Sequence, residues 1–181
     1  MRIIAGQWRG RRLVTPKHNR TRPTPDRVKE AVFSILGDVA EASILDAFSG
    51  TGALALEALS RGAHHADLVE RDGKALEAIR ANVDALGASA SIHRGDVIRL
   101  LARGALKGPY DLVFIDPPYA SGLWNTVLSG LDSAGVLSES ARVINEHPTG
   151  TSIEAPRRFS VETERTYGDV SITILVPSRG A

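Results

Sequence analysis

Residues 43–52 have the sequence SILDAFSGTG, in which a short apolar segment leads into a turn with two glycines. Ser43 to Asp46 is predicted to be a buried β-strand, because it is apolar and turn residues follow it directly. The small residues from Ala53 to Arg61 favour a helix, which Gly62 is expected to end. A glycine turn between a strand and a helix lets the backbone approach a ligand closely, so this segment is a candidate binding site.

Strands and helices continue to alternate on both sides of this segment. Each further strand is short and apolar, and the stretches between strands carry apolar residues at helical spacing. Strands are predicted at residues 66–69, 90–93, 111–115 and 141–145, and a closing antiparallel pair at 159–163 and 170–176. The pattern predicts one α/β domain over residues 1–181, with a largely parallel, doubly wound sheet whose ligands bind beyond the carboxyl ends of the strands.

The composition excludes several classes of protein. With 43% hydrophobic residues and a net charge of +1, the chain of 181 residues is expected to fold. No segment approaches the ~20 consecutive apolar residues of a membrane span, and the first residues lack the apolar core of a signal peptide. The chain has no cysteine, and its five histidines lack the spacing of metal ligands. We therefore expect a cytoplasmic protein with no metal and no membrane partner.

The positive charge is concentrated near the amino terminus. Residues 1–30 contain nine Lys or Arg and two acidic residues, and the rest of the chain is acidic overall. Interleaved apolar residues, with Gly6 and Gly10, predict a basic β-hairpin arm over residues 1–22, followed by a core over 23–181. Such an arm favours a polyanionic partner, and the alternative is a solvated basic terminus. The arginines expected to contact nucleic acid are Arg9, Arg11, Arg12, Arg20 and Arg22.

The glycine turn is compatible with more than one ligand. Gly50, Gly52 and Ala55 also fit the pattern of dinucleotide-binding turns, and a plain tight turn would need no ligand. Asp46 favours a different ligand, because a carboxylate suits a cationic amino-acid group and would repel a pyrophosphate. At the end of the second strand, Glu70 could accept both hydroxyls of a ribose or could be an exposed acid.

Two later strand ends add to this set. After the third strand, Asp96 could accept a hydrogen bond from an adenine amino group while the backbone N–H of Val97 donates one, or Asp96 could simply cap the next helix. At the end of the fifth strand, Asn145 and Glu146 could line the pocket, but no pattern gives them a role.

Asp116-Pro117-Pro118-Tyr119 follows the most apolar strand and is a specific motif. Its prolines lack backbone donors and hold the chain extended, so carbonyl oxygens are directed toward the pocket. This suits methylation of an exocyclic amino group, because Asp116 and the Pro117 carbonyl would accept its two N–H groups and free its lone pair. Tyr119 would stack on the base, which must be unpaired or flipped out. The structural alternative is a stiff loop that happens to carry a tyrosine.

These segments together resemble the RsmD family of bacterial small-subunit rRNA guanine-N2 methyltransferases. The matching segments are RIIAG (2–6), RGRRL (9–13), RPT (22–24), DRV (26–28), LDAFSGTG (45–52), LEALSRGA (56–63), DPPY (116–119) and YGD (167–169). The basic start with Arg22-Pro23-Thr24 is selective, whereas the glycine and Asp-Pro-Pro-Tyr motifs occur in many methyltransferases. The family usually has Ala and Ser where this chain has Ser49 and Thr51.

The resemblance implies the class I methyltransferase fold, with seven strands of which the last is antiparallel, and S-adenosylmethionine as cofactor. The implied substrate is one guanine of 16S rRNA, position 966, in a partly assembled 30S subunit. The protein is expected to be a monomer. The implied contacts are Asp46, Phe48, Ser49, Gly50, Thr51 and Gly52 for the methionine end of the cofactor, Glu70 for the ribose, Asp96 and Val97 for the adenine, and Asp116, Pro117, Pro118 and Tyr119 for the target base. Arg71 is expected to be a further cofactor contact.

Three other functions stay open at this point. A DNA adenine-N6 methyltransferase shares the Asp-Pro-Pro-Tyr motif, but it usually carries a recognition insert for which the gaps here are too short. A protein glutamine methyltransferase normally has Asn at position 116 and has no use for a basic arm. An RNA-binding module on a degenerate core would not need a suitable residue at every cofactor position.

Overall fold

A computed structural model describes residues 1–16, 26–117 and 122–178. Within them, strands and helices alternate as predicted, and no helix of these ranges is long and apolar enough to cross a membrane. The elements are α1 (Asp26–Leu36), β1 (Ser43–Asp46), α2 (Ala53–Ser60), β2 (His65–Glu70), α3 (Gly73–Leu86), β3 (Ala90–Arg94), α4 (Val97–Ala102), β4 (Tyr110–Ile115), α5 (Leu123–Ala134), β5 (Leu137–Pro148), β6 (Phe159–Tyr167) and β7 (Val170–Pro177).

The strands form one seven-stranded sheet with the order β3-β2-β1-β4-β5-β7-β6. Strands β1 to β5 are parallel, and β7 runs antiparallel between β5 and β6. The chain order changes direction between β1 and β4, which is the point where a doubly wound sheet leaves a crevice for a ligand. The predicted α/β fold and its closing antiparallel pair are confirmed.

The sheet separates two apolar layers. One face packs against α1, α2 and α3, and the other packs against α4 and α5. Successive side chains of a strand point to opposite faces, so in β1 Ile44 belongs to the first layer and Leu45 to the second. By the same alternation, Asp46 lies on the α1–α3 face.

Local sequence explains several helix boundaries. Asp72 caps α3 by accepting the N–H of Ala75 at 2.9 Å, and Gly87 ends the helix with a φ of 60° that favours glycine. Gly37, with a φ of 72°, ends α1 in the same way. The predicted cap of α1, at Thr24 and Pro25, lies outside the described residues.

Residues 1–14, here called the N-terminal loop, pack against the domain. The sequence predicted two short strands, but one β-bridge, between Arg2 and Arg12, joins the two sides of this loop. The backbone N–H groups of residues 4–5 donate to the Glu57 carboxylate of α2, at 2.7 and 3.0 Å. The hairpin is therefore fastened to the core and does not project from it.

Asn82 of α3 joins the N-terminal loop to the glycine turn. Its side-chain oxygen accepts the N–H of Val14 at 2.7 Å, and its NH2 group donates to the carbonyls of Val14 and Thr51, both at 3.1 Å. Asn82 is only 2% exposed, so water does not compete for these bonds. The loop and the turn thus have a common anchor.

Candidate active site

Four acidic side chains lie at the carboxyl edge of the sheet, one on each of four neighbouring strands. Glu70 ends β2, Asp46 ends β1, Asp116 follows β4 and Glu146 lies in β5. The residues two positions before them belong to the α1–α3 layer, and these are Leu68, Ile44, Phe114 and Ile144. All four acids are therefore on the same face of the sheet. This acidic row crosses the switch point between β1 and β4.

Asp46 is 4% exposed, and its environment disfavours the charged form. Burial raises the pKa of Asp46 to about 7, and the negative charge of Glu70 adds to the rise. Backbone hydrogen bonds from Ala55 and Phe48 oppose it. Because a cation would stabilise the ionised carboxylate, this environment suits a ligand with a positively charged group.

Glu70 holds the glycine turn against the end of β2. One carboxylate oxygen accepts the N–H of Gly50 at 2.9 Å, and the other accepts the N–H groups of Arg71 and Asp72 at 2.7 and 2.8 Å. Gly52 has a φ of 77°, and a Cβ there would lie 2.9 Å from a methyl group of the Leu68 side chain. The oxygen bound to Gly50 keeps a second lone pair, which can accept a hydroxyl group.

The other side chains of the turn fix its shape. The hydroxyl of Ser49 donates to the Asp46 carbonyl at 2.8 Å, and Phe48 packs against the layer of α4 and α5. The hydroxyl of Thr51 contacts the sulfur of Met1 at 3.3 Å. These side chains support the turn, and a cofactor contact by any of them stays a prediction.

Asp96 and Val97 begin α4. The side chain of Asp96 accepts the N–H of Arg99 at 3.1 Å, so the capping interpretation is confirmed. The N–H of Gly95 donates to the backbone carbonyl of Glu70 at 2.9 Å, which brings this loop to the end of β2. Val97 is buried among the α4 and α5 side chains. A contact of Asp96 with adenine stays a prediction.

Asp116 and Pro117 leave the sheet on the strand next to β1. Burial raises the pKa of Asp116 well above its usual value, and the negative charges of Glu146 and Asp46 add to the rise. Pro117 is buried. Pro118 and Tyr119 lie outside the described residues, so base stacking by Tyr119 stays a prediction. The Asp-Pro corner and the glycine turn therefore belong to adjacent strands on the same edge of the sheet.

Glu146 lies in this row, near the end of the strand, where the sequence analysis expected it to line the pocket without assigning it a role. It is 6% exposed, and its charge acts on Asp116. The available signal was an acid at the end of an apolar strand, as at Glu70. The signal was weak because the strand does not end at Glu146: β5 continues to Pro148, so the polar residues at 145–147 do not mark the end of the strand.

The basic residues of the N-terminal loop lie on its surface. The exposed arginines there are Arg2, Arg9, Arg11 and Arg12, and Arg2 pairs with Asp26 at 3.3 Å. Trp8 is partly buried against the α1–α3 layer and does not project freely. Arg20 and Arg22 lie outside the described residues. Three of the five predicted RNA contacts are thus carried by a folded loop, and their role stays a prediction.

The site has the features needed to hold S-adenosylmethionine. Asp46 offers a carboxylate to an ammonium group, Glu70 has an acceptor for a ribose hydroxyl, and the glycine turn permits close backbone approach. Among the described residues, no three His, Asp or Glu side chains are placed to hold a metal ion. The strand order, the antiparallel β7 and this site together define the class I methyltransferase fold.

Comparison with known proteins agrees with this class. A family model described as "Conserved hypothetical protein 95" matches residues 1–176. The chain belongs to this family, the RsmD family. Ribosomal RNA small subunit methyltransferase D of Escherichia coli (strain K12) is 38% identical over 175 residues, which cover 94% of this chain and 87% of the relative.

Two further comparisons extend over nearly the same length. The protein with the same name from Haemophilus influenzae is 33% identical over 177 residues, with 94% of this chain and 91% of the relative covered. The solved structure of yhhF from Escherichia coli superposes with a TM-score of 0.86 at 35% identity, covering 98% of this chain and 97% of that one. The likeness therefore includes the N-terminal loop as well as the sheet.

Proposed function

We propose that this protein transfers the methyl group of S-adenosylmethionine to the exocyclic N2 of a guanine in 16S rRNA, within the assembling 30S subunit. The position implied by the family resemblance is guanine 966. One observation carries the proposal: the Asp116-Pro117 corner, which would bind the amino group, lies on the strand next to Asp46 and the glycine turn. A monomeric state and a cytoplasmic location stay predictions from the sequence.

The corner would make a poor nucleophile reactive. The lone pair of an exocyclic amino group is delocalised into the ring, which keeps the group planar. If Asp116 and the Pro117 carbonyl accept its two N–H groups, the nitrogen is drawn toward tetrahedral geometry and its lone pair becomes available. After transfer the nitrogen must lose a proton, and the raised pKa of Asp116 makes this carboxylate a stronger base than an exposed aspartate.

The residues around β1 and β2 would hold the cofactor. When bound, S-adenosylmethionine supplies an electrophilic methyl group on a positively charged sulfur, and its transfer leaves the sulfur neutral. Asp46 would pair with the ammonium group, and Glu70 would accept a ribose hydroxyl. The acidic row would also favour the positive charge of the donor.

An RNA substrate is supported by the N-terminal loop and by the names of the relatives. The loop presents Arg9, Arg11 and Arg12 on a folded surface, which suits the positioning of a phosphate backbone. Curated relatives are named ribosomal RNA small subunit methyltransferase D. The guanine must leave its stack to reach Asp116, and the basic loop would hold the neighbouring backbone.

The proposal is tested by incubating the protein with isotope-labelled S-adenosylmethionine and, separately, unmodified 30S subunits, naked 16S rRNA, duplex DNA and a release factor. We expect label in the 30S sample, with N2-methylguanosine as the product in nuclease digests. Label confined to N6-methyladenine in DNA, or to glutamine in the release factor, contradicts the proposal. Asp116→Ala should give little label in the 30S sample, and Asp84→Asn, an exposed change on α3, is the matched control for that variant.

A further inference from the structure

Glu146 and Asp116 are neighbours across two parallel strands. The register pairs Phe114 with Ile144 and Ile115 with Asn145, so its continuation brings Asp116 beside Glu146. Neighbouring strands lie about 4.8 Å apart, and both side chains are on the α1–α3 face. The two carboxylates therefore border the same end of the sheet.

Position 146 carries a carboxylate in a largely buried place. Glu146 is 6% exposed, and an ionised group loses favourable hydration when it is buried. The residue opposite it on β7 is Ile172, so packing across the strands would favour an apolar side chain. Its charge also disfavours the ionised form of Asp116. Its position beside Asp116, at the carboxyl edge of the sheet, makes it a candidate for a contact with the substrate.

The chemistry of the bases shows what that contact would be. The edge of guanine that carries the N2 amino group has the N1–H donor directly beside it. Adenine and cytosine instead place their amino group beside a ring nitrogen that accepts a hydrogen bond. A second carboxylate next to the one that binds the amino group therefore suits guanine, and it opposes a lone pair of adenine or cytosine.

We infer that Glu146 accepts the N1–H of the target guanine, while Asp116 binds the N2 amino group, and that Glu146 thereby selects guanine. This inference rests on the proposed function. Glu146 is a specificity-determining residue that contacts the substrate edge next to the reacting nitrogen. It adds a requirement that Asp116 and Pro117 alone do not impose, because any exocyclic amino group could satisfy that corner.

The test uses a base that differs from guanine at this edge but keeps the reacting group. In 2,6-diaminopurine the N2 amino group is present, but N1 is an acceptor without a hydrogen. Reconstituted 30S particles carrying either base at the target position are methylated by the wild-type protein, by Glu146→Gln and by Glu139→Gln. Glu139 is an exposed residue of the same strand and provides the matched control. The readout is the ratio of kcat/KM for the two bases.

The wild-type protein and Glu139→Gln should prefer guanine by roughly 10- to 100-fold. Glu146→Gln should reduce this preference to within about 3-fold, because the amide of glutamine can donate to the N1 of diaminopurine. A merely structural role would lower both rates together and leave the ratio unchanged, which would overturn the inference.

Two further outcomes separate the inference from the proposed function. If the wild-type protein methylates both bases equally well, the inference is wrong whether or not Glu146→Gln folds. If the wild-type protein transfers no methyl group to N2 of guanine in the particles, the proposed function fails and the inference fails with it.

Discussion

The ammonium group of Lys29 lies 3.4 Å from the carboxylate of Glu57, and these side chains are 1% and 0% exposed. Lys29 also donates to the backbone carbonyl of Arg2, and the Glu57 carboxylate accepts the Nε–H of Arg61 at 2.9 Å. Burial lowers the pKa of Lys29, whereas the charge of Glu57 opposes this change. With the N–H groups of residues 4–5, the pair forms a buried polar centre that attaches the N-terminal loop to α1 and α2.

Removing one member of this pair should strongly destabilise the protein. Glu57→Gln leaves the Lys29 charge buried without its counterion, and we expect a loss of about 3–5 kcal/mol in the free energy of unfolding. Urea denaturation measures this loss. Glu162→Gln breaks the partly exposed Arg142–Glu162 pair, whose nitrogen and oxygen are 2.9 Å apart, and should cost at most about 1 kcal/mol. Equal losses in the two variants would contradict the anchoring role of Glu57.

Cofactor affinity should increase as the pH rises from 6 to 8. Asp46 has a pKa of about 7 in the folded protein, and only its ionised form pairs with an ammonium group. Titration calorimetry at pH 6, 7 and 8 measures this dependence. In Asp46→Asn we expect affinity at pH 8 to fall at least about 10-fold and the pH dependence over this range to weaken. A pH profile identical to that of the wild type would show that Asp46 does not bind the cation.

The same substitution should stabilise the ligand-free protein at high pH. The pKa of Asp46 in the folded protein is raised above its unfolded value. The contribution of Asp46 to the free energy of unfolding is therefore most favourable below about pH 4 and is lost as the pH rises through about 7. Asp46→Asn removes this penalty and should add about 1–3 kcal/mol at pH 8, with a smaller gain at pH 5. Thermal unfolding at both pH values measures the difference. A variant that is less stable at pH 8 would contradict the assigned cause of the pKa shift.

Asp116→Ala should slow methyl transfer severely while cofactor affinity stays within about 3-fold. Loss of the acceptor for the amino group is expected to slow single-turnover transfer by about 10²–10⁴-fold. In the wild type, transfer should accelerate as the pH rises, because the raised pKa leaves Asp116 partly protonated at low pH. A collapse of cofactor binding in the variant would mean that Asp116 belongs to the cofactor site or to the fold.

Changing Arg9, Arg11 and Arg12 together to Ala should weaken RNA binding and reduce its dependence on salt. Each lost phosphate contact lowers the log–log slope by roughly 0.7–0.9, so the triple variant should lose about 2 to 3. Filter binding at several salt concentrations measures the slope. The control changes Arg99, Arg103 and Arg157, which are exposed elsewhere on the domain. An unchanged slope in the loop variant would leave the loop without a role in RNA binding.

The strand-to-helix units could be read from the sequence because each is specified locally. The glycines of residues 50–52 require backbone conformations that favour glycine, and Asp72 and Gly87 mark the ends of α3 within a few residues of chain. The grouping of Glu70, Asp46 and Asp116 also followed, because parallel strands bring their carboxyl ends to one edge.

The remaining features depend on contacts between distant segments. Glu57 resembles an ordinary helical acid in the sequence, and its role appears only when residues 4–5 reach it from more than fifty positions away. Glu146 could not be assigned because its meaning depends on the β4–β5 register that brings it beside Asp116.

The Glu70 carboxylate accepts hydrogen bonds from the backbone N–H groups of Gly50, Arg71 and Asp72, and these bonds affect the kinetics of cofactor binding. Because they form during folding, the entropic cost of ordering the turn is already met before any encounter. Capture of the cofactor should then proceed as a single kinetic phase whose observed rate increases linearly with concentration. A plateau at high concentration would be the mark of a slow rearrangement, and this preformed turn gives no reason to expect one.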